Sequence, residues 1–392
     1  MFHWRLRCFP SRRSLLLVGA LLASCAGAPP VPAPLLEDAL FGNPPRPAEA
    51  DSALAADDAM REHVRRIVAR TPVLAERPKA LADSLAAPGD LRLDYDASFT
   101  RNAAQAFAAR SGNCLSLVLM TAALAREMGL DLRFQRVLGE PLYSRQPGLT
   151  LRSGHVNLVL GVSGPARRAG ARLHGGNQWV IDFMPGELSE TMVAEAIEPH
   201  RVLAMFMNNR AVESLLAQQP ASAYAWAREA LRTDPAYWDA YNTLGVVYRN
   251  AGHPGAAAAV FETLLAHDAR NVAAMTNLEG TLAALGRAGE AAGWSARRQA
   301  LEPYPPFHFL HQGQRAMARQ DPALALRLFE RELALSGPSH ESYFWLAQAR
   351  LALGQADGAR QALQQALEFS TTPGEQRRYA GKLDALRRQA LR

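Results

Sequence analysis

The chain has 392 residues, of which 48% are hydrophobic and 20% charged, apolar material enough for two or three packed cores. Its formal net charge of +6 overstates its basicity, because Arg5, Arg7, Arg12 and Arg13 are gathered at the N-terminus and without them 39 basic groups face 37 acidic ones. No basic run follows of the kind a nucleic-acid partner requires, which excludes that class of function.

The first residues read as an export signal: a positive stretch over Arg5 to Arg13, an apolar stretch from Ser14 to Leu22, then small residues. The apolar stretch is too short for a stable bilayer-spanning helix. Leu22-Ala23-Ser24-Cys25 resembles the lipobox of bacterial lipoproteins, in which the cysteine is acylated and becomes the first residue; an ordinary secretory signal cleaved nearby is the alternative. The resemblance implies a signal peptide over 1–25, lipid on Cys25 and membrane attachment through that lipid. Ala26 resembles outer-membrane sorting, so the expected location is the cell envelope, on the periplasmic face of the outer membrane. Cys8 would leave with the signal, making Cys114 the one thiol without lipid, either a buried filler or a working nucleophile.

Seven prolines between Pro29 and Pro47 predict an extended tether over 26–50. From 51 to 203 the pattern is mixed α and β. Amphipathic helices are predicted at 51–70 and 73–86, with a break at Pro88-Gly89. Thr100 is placed to cap a helix over 101–110. Ser111-Gly112-Asn113 supplies a turn, and Cys114 opens an apolar helix to Met128, stopped by Gly129. Strand-like runs follow at 131–138, 155–162 and 178–184, with loops at 139–153 and 163–177.

Over 204–373 a period of 34 residues predicts five helix-pair units. Ala223, Ala257, Ala291, Ala325 and Ala359 recur at that interval, as do the bulky Met207, Tyr241, Met275, Phe309 and Tyr343. A third column, Gln218, Gly252, Gly286, Gln320 and Gly354, falls where the first helix of each pair ends. Small residues let paired helices approach, while bulky ones fill the space between pairs. The pattern resembles tetratricopeptide repeats, with irregular positions at Glu279, Arg210 and Gln312. Residues 374–392 read as a polar capping helix. Arrays of this kind imply a protein or peptide partner.

The residues able to carry chemistry lie in the mixed region. A helix N-terminus stabilises a thiolate through its free N–H groups and dipole, which suits Cys114 to nucleophilic work once a base and an orienting group lie within reach. His155 begins an apolar strand. Asp182 is a charge inside Trp179-Val180-Ile181-Asp182-Phe183, and a buried carboxylate needs a partner. Each also has a structural role available: core thiol, strand-end imidazole, turn cap. Asn157 shares a strand face with His155 and is a second candidate orienter. His174 and His200 sit in loop contexts and read as solvated. No Cys, His and carboxylate spacing fits a metal, and no cofactor is indicated.

Gly112-Asn113-Cys114 opening an apolar helix, Gly154-His155 opening a strand, and Trp179 to Asp182 downstream resemble the transglutaminase-like superfamily of papain-type folds, over roughly 95–185. The resemblance implies an α+β papain/transglutaminase-like domain ahead of an all-α tetratricopeptide-like solenoid. It also implies a catalytic triad of Cys114 as nucleophile, His155 as base and Asp182 as orienter. The oxyanion would be held by the Cys114 N–H and a second donor left open among Asn102, Gln105 and Asn113. Two functions follow as expectations: a thiol-dependent acyl transferase or hydrolase acting on peptide or amide bonds, or an inactive domain of that fold serving as a scaffold for envelope proteins.

Overall fold

A computed structural model describes residues 7–8, 35–87, 90–146, 149–161, 178–183 and 193–390. Cys25, the rest of 9–34, Pro88-Gly89, His174 and the predicted loop 163–177 lie outside the described residues, so the export signal and its lipid site are expectations only.

The N-terminal half begins with helices α1 (Asp58–Arg70) and α2 (Arg77–Ala86). The first starts seven residues later than its sequence pattern suggests, because Asp57 caps it by accepting the Met60 N–H at 2.8 Å. Strand β2 (Asp94–Tyr95), helix α3 (Ala103–Ala109), strand β3 (Ser111–Gly112) and helix α4 (Cys114–Glu127) follow. Asn102, not Thr100, caps α3. Its side chain accepts the Gln105 N–H while Gln105 reaches back to the Asn102 N–H, a reciprocal box that Thr100 lacks. Every residue of α4 from Leu115 to Ala125 is buried, and Gly129 ends the helix region at φ +70°.

A sheet covers α4. Strands β4 (Asp131–Gln146) and β5 (Leu149–Gly161) form a long antiparallel hairpin, so the loop predicted at 139–153 is largely strand, with a register shift between Val137 and Leu142. Strand β6 (Trp179–Ile181) pairs antiparallel with β5, and β7 (Val193–Ile197) pairs with β4 on the other side. Arg7–Cys8, strand β1, pairs antiparallel with Trp179 and Val180 at the outer edge.

The C-terminal half is five antiparallel helix pairs: α5 (Pro199–Leu216) with α6 (Pro220–Thr233), α7 (Trp238–Asn250) with α8 (Pro254–His267), α9 (Val272–Ala284) with α10 (Ala288–Leu301), α11 (His308–Ala318) with α12 (Pro322–Ser336), and α13 (His340–Ala352) with α14 (Ala356–Glu368). The last helix, α15 (Pro373–Ala390), closes the array. The five alanines of the first column are all buried. All five residues of the third column take left-handed φ between 57° and 86°, including the non-glycine Gln218 and Gln320, because each ends a helix and reverses the chain.

Packing within pairs is reciprocal in size. A Cβ at Gly245 would overlap the Phe261 ring, and one at Gly313 the Phe329 ring. In the third pair the same two positions hold Glu279 and Ser295, and Glu279 turns to Arg298 at 3.1 Å instead of packing. The apolar core divides after this pair. One cluster runs from the N-terminal half to Ala291, and a second from Phe307 to Leu383. Beyond the gap, buried Glu332 of α12 accepts the N–H groups of Phe307, Phe309 and Leu310 at 2.8, 2.9 and 3.2 Å and so caps α11 from outside.

The Pro-rich segment departs from the predicted tether. Its residues 35–50 fold as short 3₁₀ turns at 38–41 and 48–50 and lie on the first repeats. Phe41 stacks on Tyr224 with ring centroids 4.3 Å apart, Asp38 pairs with buried Arg228 at 2.8 Å, and Tyr248 bonds the backbone of Leu35 and Glu37. The far end of the array returns to the N-terminal half: the Ala97 N–H donates to the Thr371 carbonyl at 2.7 Å, and α12 lies against β4.

Candidate functional site

The site is assembled by three elements. Helix α4 begins at Cys114, whose side chain is half-buried. Asn113 caps this helix, its Oδ1 accepting from the Ser116 N–H and hydroxyl at 2.9 Å each. Gly112 is required just before it, since a Cβ there would meet the Ser116 Cβ at 2.7 Å. The preceding turn is therefore drawn tightly over the helix start, which carries the positive end of its dipole.

Strand β5 supplies His155 and Asn157, two residues apart and hence on one face. Strand β6 runs antiparallel with Leu158 opposite Ile181. Continuing that register sets Asp182 beside Asn157, with His155 on the diagonal, both within reach of a short side chain. His155 Nε2 lies 2.6 Å from Asp182 Oδ1, and Asn157 Nδ2 donates to Asp182 Oδ2 at 2.9 Å. The imidazole and carboxylate are 7% and 8% exposed, so their pairing is little screened by water.

With Nε2 committed to Asp182, Nδ1 is the ring nitrogen left for the thiol, and the Cys114 side chain lies near enough to act on the imidazole. Burial alone would push the imidazolium pKa down. The bond to Asp182 and the nearness of Cys114, with the negative charges behind them, outweigh it and push the value up to about 10. The three predicted triad residues are thus brought together, with Asn157 holding the carboxylate from the other side.

Tyr95 is the residue that sequence reasoning missed. It is buried, and its phenol lies close enough to Cys114 to feel that residue's backbone and side chain. Burial, followed by the charge of the Cys114 sulfur, raises the phenol well above its usual pKa. No motif marks Tyr95 in the sequence, because a two-residue parallel strand brings it there. His200 has the exposed character expected of it, lying 3.7 Å from Asp234. Among the described residues no group of His, Cys, Asp and Glu is arranged to hold a metal.

With both halves in view, the protein is a mixed α/β unit joined to a helical-repeat array. Residues 340–372, spanning α13 and α14, match the tetratricopeptide repeat family, and the helical half is a solenoid of helix pairs of that kind. Solved structures with similar arrays include a thermophilic TPR protein of Thermus thermophilus, 20% identical over 46% of this chain and 98% of its own, with a TM-score of 0.28. Pseudomonas aeruginosa pilF is 23% identical over 44% of this chain and 79% of its own, with a TM-score of 0.27. Yeast Tom70 is 14% identical over 48% and 40%, with a TM-score of 0.32. No curated protein matches the sequence.

Proposed function

We propose that this chain is a protein-binding scaffold whose repeats dock a protein partner. The observation that carries this reading is the run of five helix pairs with a repeat-family match at 340–372. Repeat arrays present long continuous surfaces suited to that task. The test is capture from an envelope extract by the purified chain, compared with a His311→Glu, Arg315→Glu double variant on the exposed side of α11. A discrete partner retained by the first and lost by the second supports docking on the array. Equal capture by both removes this surface from the account.

The juxtaposition of Cys114, His155 and Asp182 favours a second reading for the mixed half: a thiol-dependent acyl transferase or hydrolase of the transglutaminase-like kind, acting on a peptide or amide bond. Cys114 sulfur would attack the carbonyl carbon as the thiolate, its proton already held at Nδ1 of His155, whose pKa is raised. His155 would return that proton to the departing amine, leaving a thioester that water or a second amine resolves. Iodoacetamide at pH 7 tests this directly. Cys114 should react faster in the folded chain than in urea, and His155→Ala should abolish the difference.

The lipobox-like Leu22 to Cys25 adds a location: the envelope, held through lipid on Cys25. Metabolic labelling with a fatty acid, lost in Cys25→Ser, would support it, and labelling retained in that variant would count against it.

A further inference from the structure

The geometry points to Tyr95 as the second oxyanion donor of the Cys114 site, a role resting on the acyl-transfer reading above. Tyr95 is fixed in place by its backbone. In the parallel pairing of β2 with β3 it lies opposite Gly112, two residues before the nucleophile. The bonds Asp94 N–H to Arg110 O at 2.9 Å and Asp96 N–H to Gly112 O at 3.0 Å pin the strand on both sides of it. That register sets its buried phenol beside Cys114.

The three amides that sequence offered are held in helix caps. Asn113 spends Oδ1 on Ser116 and its Nδ2 on Thr100 Oγ1 at 2.8 Å. The side-chain oxygens of Asn102 and Gln105 each accept the other's backbone N–H, which fixes both side chains at the cap of α3. Tyr95 therefore has the better placement, and a phenol with a raised pKa keeps its proton across the working range.

In the resting site the phenol lies beside Cys114, next to where a substrate oxygen would bind. As sulfur bonds to the carbonyl carbon, the carbonyl π electrons move to oxygen. That oxygen accepts the Cys114 N–H and the O–H of Tyr95. When the tetrahedral carbon collapses, the C–N bond breaks and the amine leaves with the proton from His155. Tyr95 donates a hydrogen bond throughout and loses no proton.

Two reagents separate this role from mere support of the thiol. Iodoacetamide alkylates sulfur at a tetrahedral carbon and forms no oxyanion, whereas p-nitrophenyl acetate acylates it through one. In the full-length chain, Tyr95→Phe is expected to leave Cys114 alkylation within about twofold and to slow acylation about 100-fold, the usual loss for one such donor. Equal acylation by variant and parent overturns the role. A parallel fall in both reactions overturns it too, reducing Tyr95 to a packing residue. If the parent acylates no faster than Cys114→Ala, the acyl-transfer reading itself fails, and the role fails with it.

Discussion

Asn157 and His155 grip one carboxylate from two sides: Asp182 gives Oδ1 to the imidazole at 2.6 Å and Oδ2 to the amide at 2.9 Å. The amide is buried and donates to a charged acceptor, a bond worth about 1.5–3 kcal/mol. Asn157→Ala should free the carboxylate to rotate and slow iodoacetamide labelling of Cys114 roughly tenfold, with the folded state retained by circular dichroism. Labelling at the parental rate would mean that the strands alone fix Asp182.

The ion pair also ties stability to pH. The folded pKa of His155 is raised to about 10 from 6.5. Its contribution is therefore complete below the unfolded value and is lost as pH climbs from 6.5 through about 10. Urea midpoints should fall across that window in the parent. In Asp182→Asn they should start lower and vary less. A parent curve flat through the window would contradict the pairing.

Two glycines in the repeats are set by the rings facing them. Gly245→Ala and Gly313→Ala each force a methyl group into a phenylalanine, a clash expected to cost about 1–3 kcal/mol. Melting temperature reads this, with Gly280→Ala on an open surface of α9 as the comparison expected to show no loss.

Glu332 is almost completely enclosed and accepts three N–H groups at the start of α11, as well as the Ser336 hydroxyl at 2.7 Å. Replacing it by alanine orphans those donors, at about 3 kcal/mol or more. Hydrogen exchange should accelerate at Phe307, Phe309 and Leu310 in Glu332→Ala before it does elsewhere. Unchanged protection there would show that the cap is dispensable.

Phe41→Ala should loosen the segment lying on the first repeats. Its ring is half-buried against Tyr224, Tyr248 and His253, so the loss is roughly 2 kcal/mol. Limited proteolysis should then cut within 35–50, while the parent resists cleavage there.

The repeats are legible in the sequence because their signal is periodic: small, bulky and helix-ending columns return every 34 residues, whatever fills the rest. Cys114, His155 and Asp182 are legible through chemistry out of place, a thiol at a helix start and charges in apolar strands. What escapes is non-local. The Pro-rich segment reads as a tether because nothing nearby shows that Asp38 meets Arg228, 190 residues away. Val193–Ile197 carries alanine and glutamate, poor strand formers, and becomes a strand only because β4 offers it an edge. Gly139 and Pro141 read as loop punctuation, yet the hairpin absorbs them through a register shift.

The bond from Ala97 to Thr371 changes what the gap between α10 and α11 can do. In an open solenoid, a break in the apolar core would be a free joint, letting the last two units swing. Here the swinging end is latched to the strand segment that carries Tyr95, so the molecule is a closed circuit with its weakest splice in the middle. Load applied anywhere on that circuit is shared between splice and latch, and the latch is two residues from the phenol.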